Sequence, residues 1–298
     1  MDWLQVRIEL GRLDPAPVET ALLQLGAAAI EYRDAGDEPI LEPAPGTTPL
    51  WQEVCLSALL DPATPPEQIR QFIGLAVAPA ATPPIEFTPL ADRDWVGDFR
   101  AALTPMCFGS GLWLLPTDAD TPPDARAVVR LEPGLAFGSG RHPTTALCLE
   151  WLARLNCAGQ VLDFGCGSGV LAIAALALGA RKVWAVDIDP QALEACARNA
   201  ATNKVADRLI VAAPGELAPD LQVDALVANI LSGTLIELAP ILCTRLRTGA
   251  AIALSGILPS QADEVRQRFA PWVEFAAPQQ QGDWVLLAGL ARAPRPPD

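Results

Sequence analysis

The sequence predicts an α/β protein in which a large domain with a mainly parallel sheet follows a smaller α+β domain. Residues 161–187, VLDFGCGSGVLAIAALALGARKVWAVD, have the pattern of one complete β-α-β unit. Two short apolar runs typical of buried parallel strands flank an Ala- and Leu-rich helical segment, and Gly179 follows that segment at a helix C-cap position. From about residue 125 onwards, strand and helix patterns alternate, which is typical of helices packed on a parallel sheet.

The first 90 residues form a separate group of patterns in the order β-α-β-β-α-β. Residues 3–10 alternate as a half-buried strand does, and residues 16–25 have helical spacing. Further strands are expected at 28–32, 51–60 and 85–90, and a second helix at 66–77. This order predicts a ferredoxin-like α+β domain over residues 1–90. It contains no catalytic motif, so we interpret it as a substrate-recognition domain.

Residues 91–124 are expected to link this domain to a catalytic domain over residues 125–298. The linker is predicted to contain a short helix from Asp94 to Leu103, which Pro105 ends, and a strand at 112–115. In the catalytic domain, helices are expected at 143–155, 170–178, 190–203, 235–246 and 260–269. Strands are expected at 128–131, 161–164, 182–186, 209–212, 225–228 and 250–254. The chain then closes with an expected hairpin of residues 272–275 and 284–290.

Composition narrows the classes of function. The net charge is −14, and only two lysines occur among the 298 residues, so stable nucleic-acid binding is not expected and a basic protein would be attracted. Seven cysteines without a CxxC pair and a single histidine argue against a disulfide framework and a zinc site. The apolar runs are too short to span a membrane, and the N-terminus does not resemble a signal peptide. We therefore expect a cytoplasmic protein, and a monomer.

The turn after the first strand of the β-α-β unit is a candidate cofactor site. Gly165, Gly167 and Gly169 alternate there, and glycine lets a ligand approach the backbone at a helix N-terminus. Asp187 ends the next strand, where a ribose-binding acid belongs in either a nicotinamide or an adenosyl enzyme. Asp163 precedes the turn and could orient it through backbone N–H groups or reach a cofactor amino group. Three features favour S-adenosylmethionine as the cofactor. An acid, Asp163, lies at the end of the first strand, the glycines occupy every second position, and the fold has further elements before this unit.

Two further segments carry candidate residues. Asn229 ends the fourth strand of the predicted sheet, where its amide oxygen could accept a hydrogen bond from a substrate amine. Residues 138–145 contain two glycines and two threonines before a helix, and Thr144 could cap this helix or bind a cofactor. His142 could accept the proton that a lysine ammonium must lose before attack, or it could shape the loop. Methyl transfer needs mainly alignment and a free amine, which favours the second role.

Four strings, in this order and spacing, resemble the PrmA family, the methyltransferases of large-subunit ribosomal protein eleven. They are LEPGLAFGSGRHPTTALCLEWL, LDFGCGSGVLAIAA, VDIDPQAL and VANILSGTLIELAP. The resemblance implies a class I methyltransferase fold, Rossmann-like with a seven-stranded mixed sheet. It implies transfer of methyl groups from S-adenosylmethionine to lysine ε-amines of ribosomal protein eleven, with its N-terminal α-amine as a further candidate.

The resemblance also implies roles for individual residues. The cofactor would be held by Thr144, Asp163, Gly165, Gly167, Asp187 and Asn229, and the target amine would lie at Asn229. Phe99 and Leu103 in the linker, and Ser139 and Arg141 in the loop, depart from the family pattern. Two alternatives stay open at this point. A methyltransferase of RNA or a small molecule would share the second domain, and a nicotinamide-dependent oxidoreductase would share only the glycine turn.

Overall fold

The computed structural model describes residues 2–36, 49–91, 104–131, 142–155 and 158–293. Contacts between residues divide the chain into two compact units, Met1–Trp95 and Val96–Asp298. The helix predicted from Asp94 to Leu103 lies outside the described residues, and so does the part of the predicted loop from Gly138 to Arg141.

The first unit is a four-stranded antiparallel sheet with two helices. Its strands are β1 (Trp3–Gly11), β2 (Ala29–Asp34), β3 (Val54–Leu60) and β4 (Ile85–Leu90), and its helices are α1 (Pro15–Gln24) and α2 (Pro66–Ala76). The sheet order is β2-β3-β1-β4. Every second side chain of β1 is buried, because successive residues of a strand point alternately towards the core and towards solvent. The elements follow the predicted β-α-β-β-α-β order.

A three-stranded sheet begins the described part of the second unit. It consists of β5 (Met106–Phe108), β6 (Leu112–Pro116) and β7 (Ala127–Leu131), in that order. β5 and β6 are antiparallel, whereas β6 and β7 are parallel. The sequence places residues 112–115 in a linker and residues 128–131 in the catalytic domain. The structure pairs the two segments, so both contribute to the second unit.

The main sheet of the second unit contains eight strands. They are β8 (Gln160–Phe164), β9 (Lys182–Val186), β10 (Leu209–Ala212), β11 (Val223–Asn229), β12 (Leu246–Ile257), β13 (Val273–Phe275), β14 (Gln279–Gln281) and β15 (Trp284–Ala291). Seven of them follow the order β10-β9-β8-β11-β12-β15-β13, and β14 pairs with β15. Strands β8 to β12 are parallel to one another, and β15 is antiparallel to β12. The sheet is mixed, as expected, but it has eight strands rather than seven, because β14, whose three glutamines have no apolar pattern, pairs with β15.

Helices pack on both faces of this sheet. They are α3 (Pro143–Arg154), α4 (Val170–Ala177), α5 (Pro190–Thr202), α6 (Ser232–Thr244) and α7 (Ala262–Phe269). Buried side chains of α3, α4 and α5 form one core cluster, and those of α6 and α7 form another on the other strand face. Within β8, Val161 belongs to the first cluster and Leu162 to the second, since successive strand residues face opposite sides.

This topology places the candidate residues at one edge of the sheet. Strands β8, β9 and β11 are parallel, and β8 pairs with both of the others. Asp163, Asp187 and Asn229 therefore lie at or just beyond neighbouring carboxyl ends, where open α/β sheets form their ligand crevice. Among the described residues, no helix combines the length and the apolar character needed to cross a membrane.

Candidate functional site

The turn between β8 and α4 is fixed by backbone hydrogen bonds to β9. The carbonyl oxygen of Val186 accepts from the N–H groups of Gly165 at 2.7 Å and of Cys166 at 2.9 Å. Gly165 has a φ of 79°, and a Cβ placed there would overlap the side chain of Ile230. Gly169, the N-cap of α4, also has a φ of 79°, and its Cβ would overlap the Sγ atom of Cys196. Backbone conformation and close packing therefore require these glycines, independently of any ligand.

Asp187 ties the glycine turn to the end of β9. Its Oδ2 atom accepts from the N–H of Gly167 at 2.9 Å, and its Oδ1 atom accepts from the N–H of Asp189 at 3.0 Å. Each carboxylate oxygen has a further lone pair, so Asp187 can still accept hydrogen bonds from ribose hydroxyls. Asp189 caps α5 by accepting from the N–H of Gln191 at 2.9 Å, so the helix cap is Asp189 rather than Asp187.

Asp163 is a fully buried acid behind the turn. Its Oδ2 atom accepts from the N–H of Ala172 in the first turn of α4 at 2.9 Å. Its Oδ1 atom is buried and has no hydrogen-bond partner among the described residues. Burial raises the pKa of Asp163 to about 7, with a further increase from the charge of Asp187, while the Ala172 N–H acts in the opposite direction. A buried unpaired acceptor of this kind is costly, so a donor from a ligand would be favoured there.

Asn229 lies half-buried at the end of β11 and contacts α3. Its Nδ2 atom donates to the Oγ1 atom of Thr145 at 3.3 Å. Thr145 is buried, with 3% of its surface exposed. The neighbouring strand places Ser255 beside Asn229 in the parallel register, and Ser255 donates to the carbonyl oxygen of Val285 at 3.4 Å. The Asn229 amide is thus oriented by the first turn of α3.

His142 caps α3. It is the N-cap residue, and its Nδ1 atom lies 3.4 Å from the N–H of Thr144 and 2.7 Å from the Oγ1 atom of Thr144. The ring also makes an edge-to-face contact with Trp284, with 5.0 Å between centroids. The sequence offered Thr144 as a possible cap of this helix, and the structure corrects this, because the capping side chain is His142. Capping by Nδ1 agrees with the loop-shaping role, and catalysis by His142 stays a prediction.

Sequence reasoning missed two polar residues that organise the site. Thr145 orients Asn229 as described, and Asn199 in α5 donates from Nδ2 to the carbonyl oxygen of Ser168 at 2.9 Å. Asn199 is buried and thereby holds the glycine turn against α5. The only sequence signal for Asn199 is a polar residue on the buried side of a helix, and the signal for Thr145 is the paired threonine in HPTT.

Comparison with known proteins agrees with this architecture. The family model described as "Ribosomal protein L11 methyltransferase (PrmA)" matches residues 2–292. The chain belongs to the PrmA family. It is 42% identical to a ribosomal protein L11 methyltransferase of Shewanella denitrificans and 44% identical to one of Chromohalobacter salexigens, covering 98% of this chain and 100% of each relative.

A solved structure also matches. The ribosomal protein L11 methylase of Lactobacillus delbrueckii subsp. bulgaricus is 31% identical, with a TM-score of 0.57. The match covers 64% of this chain and 100% of that chain. The class I methyltransferase fold of the PrmA family therefore accounts for the mixed sheet and its glycine turn.

Proposed function

We propose that this PrmA family member transfers methyl groups from S-adenosylmethionine to amines of ribosomal protein L11. The acceptors are lysine ε-amines, with the N-terminal α-amine as a further candidate. The observation that carries the proposal is the grouping of Asp163, Asp187 and Asn229 at the carboxyl ends of β8, β9 and β11. The names of relatives matched over nearly the full chain support the protein substrate.

The residues at this edge fit an adenosyl cofactor. Asp187 retains lone pairs for ribose hydroxyls, and Gly165 and Gly167 expose backbone at the turn. The unpaired Oδ1 atom of Asp163 is a buried acceptor suited to a donor such as the α-ammonium group of the cofactor. Thr144 lies in the first turn of α3, next to Thr145, which contacts Asn229. These residues, together with Asn229, would hold the cofactor.

Asn229 would orient the acceptor amine. When bound, the cofactor supplies an electrophilic methyl group on a sulfonium, which a neutral amine can attack directly. Because Nδ2 donates to Thr145, the Oδ1 atom of Asn229 remains as an acceptor for an amine N–H. One such hydrogen bond directs the amine lone pair away from the asparagine, and the principal contribution of the protein is alignment.

The first unit and the surface charge fit a basic protein substrate. We assign the domain of residues 1–90 to substrate recognition, residues 91–124 to the connection and residues 125–298 to catalysis. A net charge of −14 attracts a basic protein and disfavours nucleic acid. We propose that the protein acts as a cytoplasmic monomer on free L11. Ribosomes outcompeting free L11 in a pull-down would contradict this.

Calorimetric titration tests the cofactor assignment. S-adenosylhomocysteine and NAD are titrated separately into the native protein, Asp187→Ala and Asp189→Ala. A charge-assisted hydrogen bond contributes about 1.5 to 3 kcal/mol, so Asp187→Ala is expected to weaken binding of S-adenosylhomocysteine roughly 10- to 100-fold or more. Asp189→Ala is the matched control, because it removes a helix cap on the same loop and leaves the Asp187 carboxylate in place. Binding of NAD instead would contradict the proposal.

A further inference from the structure

The contact between α3 and Asn229 suggests a role for Thr145, to which the sequence analysis assigns none. Asn229 Nδ2 and Thr145 Oγ1 are 3.3 Å apart, although 84 positions separate the two residues in the chain. Thr145 is nearly fully buried, whereas Asn229 is half-buried and reaches the crevice edge. The hydroxyl of Thr145 therefore contacts the Asn229 amide from the side that faces the protein interior.

This contact involves the nitrogen end of the amide. An asparagine side chain can rotate by half a turn, which exchanges its oxygen and its nitrogen. With Nδ2 bonded to Thr145, the lone pairs of Oδ1 can accept from a substrate. An amine acceptor needs that oxygen, because Nδ2 carries only donors and would repel the N–H groups of the substrate.

Thr145 is itself held in place by the helix start. Its N–H donates to the carbonyl oxygen of His142 at 3.0 Å, and Pro143 occupies the first helical position. His142 caps the same turn and packs against Trp284. A hydroxyl on a capped, buried first turn has little freedom to move, so it holds the amide group in position.

We propose that Thr145 is a positioning residue for methyl transfer, holding the Asn229 amide so that Oδ1 receives the substrate amine. This inference rests on the proposed function, since it assigns the oxygen to the amine of L11. Thr145 does not touch the reacting atoms. It acts through Asn229, and its loss should lower the rate of transfer by much more than it weakens binding of the cofactor product.

The experiment compares Thr145→Val, which has the same shape without the hydroxyl, with Thr145→Ser, which keeps the hydroxyl. We expect Thr145→Val to lower kcat for L11 methylation roughly 10- to 100-fold, because small misplacements of a reacting group cost about this much. The dissociation constant of S-adenosylhomocysteine should change by less than about twofold, and Thr145→Ser should restore most of kcat. In the Asn229→Ala background, Thr145→Val should cause no further loss, because the two residues act as one unit.

A second readout does not depend on activity. In a two-dimensional nitrogen–proton NMR spectrum, the Asn229 side-chain amide signals should move in Thr145→Val and return in Thr145→Ser. Unchanged amide signals, or additive losses of kcat in the double variant, would overturn the inference. A native protein that transfers no methyl group to any L11 amine would refute the proposed function and the role in transfer, while the NMR signals would still report whether Thr145 holds the amide.

Discussion

The buried acid Asp163 should make the stability of the protein depend on pH in a way that one substitution removes. Burial raises the pKa of Asp163 to about 7 in the folded chain, compared with an ordinary value of 3.8. Because the folded state holds the proton more tightly than the unfolded state, raising the pH from about 4 to about 7 destabilises the fold. Above pH 7 the penalty no longer grows, since both states are then ionised.

The size of this effect follows from the two pKa values. Linkage gives a penalty of about 2 kcal/mol at pH 5 and about 4 kcal/mol at pH 8. Asp163→Asn keeps an oxygen that can accept from the N–H of Ala172 and has no charge to bury. The substitution adds an unpaired amide nitrogen, but this cost is independent of pH. Between pH 5 and pH 8, the stability of Asp163→Asn relative to the native protein should therefore rise by about 2 to 3 kcal/mol.

Urea unfolding at pH 5 and at pH 8, without ligand, measures this difference. Titrating groups that do not interact with Asp163 contribute equally to the native protein and the variant, so they cancel in the comparison. Asp189→Asn is the matched control, because it makes the same exchange at an exposed helix cap, where there is no buried charge to remove. An Asp163→Asn difference that is the same at both pH values would refute the account of Asp163 as a buried acid of raised pKa.

Two other predictions concern residues that shape the site. Gly169→Ala should destabilise the fold by about 2 to 4 kcal/mol, because it strains a backbone in the left-handed region and overlaps the Cys196 side chain. The control is Gly249→Ala, which has a φ of 77° and no neighbour within 4 Å, so it should show only the cost of the backbone strain. Equal losses in urea unfolding would contradict the packing argument. His142→Ala should cost about 1 kcal/mol through loss of the cap, while His142→Asn should keep most of it, as measured by thermal unfolding. Equal destabilisation by both substitutions would contradict the capping role.

The sequence predicts the features whose signal is local. The glycine turn, the alternating helices and strands, and the acid after β9 each occupy one continuous stretch with a known pattern. The helix cap Asp189 also has a local signal, because the proline that follows it marks the first helical turn. These local signals were enough to indicate the fold and the position of the cofactor site.

Other features depend on contacts between distant segments. The hydrogen bond from Asn229 to Thr145 joins residues 84 positions apart, and nothing near either residue indicates it. The pairing of β6 with β7 crosses a proline-containing loop that is typical of a linker. Strand β14 consists of three glutamines and forms through its pairing with β15 rather than through apolar alternation. Tertiary context determines such elements, so propensity alone does not reveal them.

Methyl transfer to ribosomal protein L11 is the central claim, and mass spectrometry of the substrate tests it most directly. Purified L11 is incubated with S-adenosylmethionine and either the native protein or Asn229→Ala, after calorimetry has shown whether the variant binds S-adenosylhomocysteine. We predict methylated lysine residues with the native protein and a large loss of product with a variant that still binds the cofactor product. Unmodified L11, together with methyl transfer to RNA or to a small molecule by the same preparation, would contradict the account.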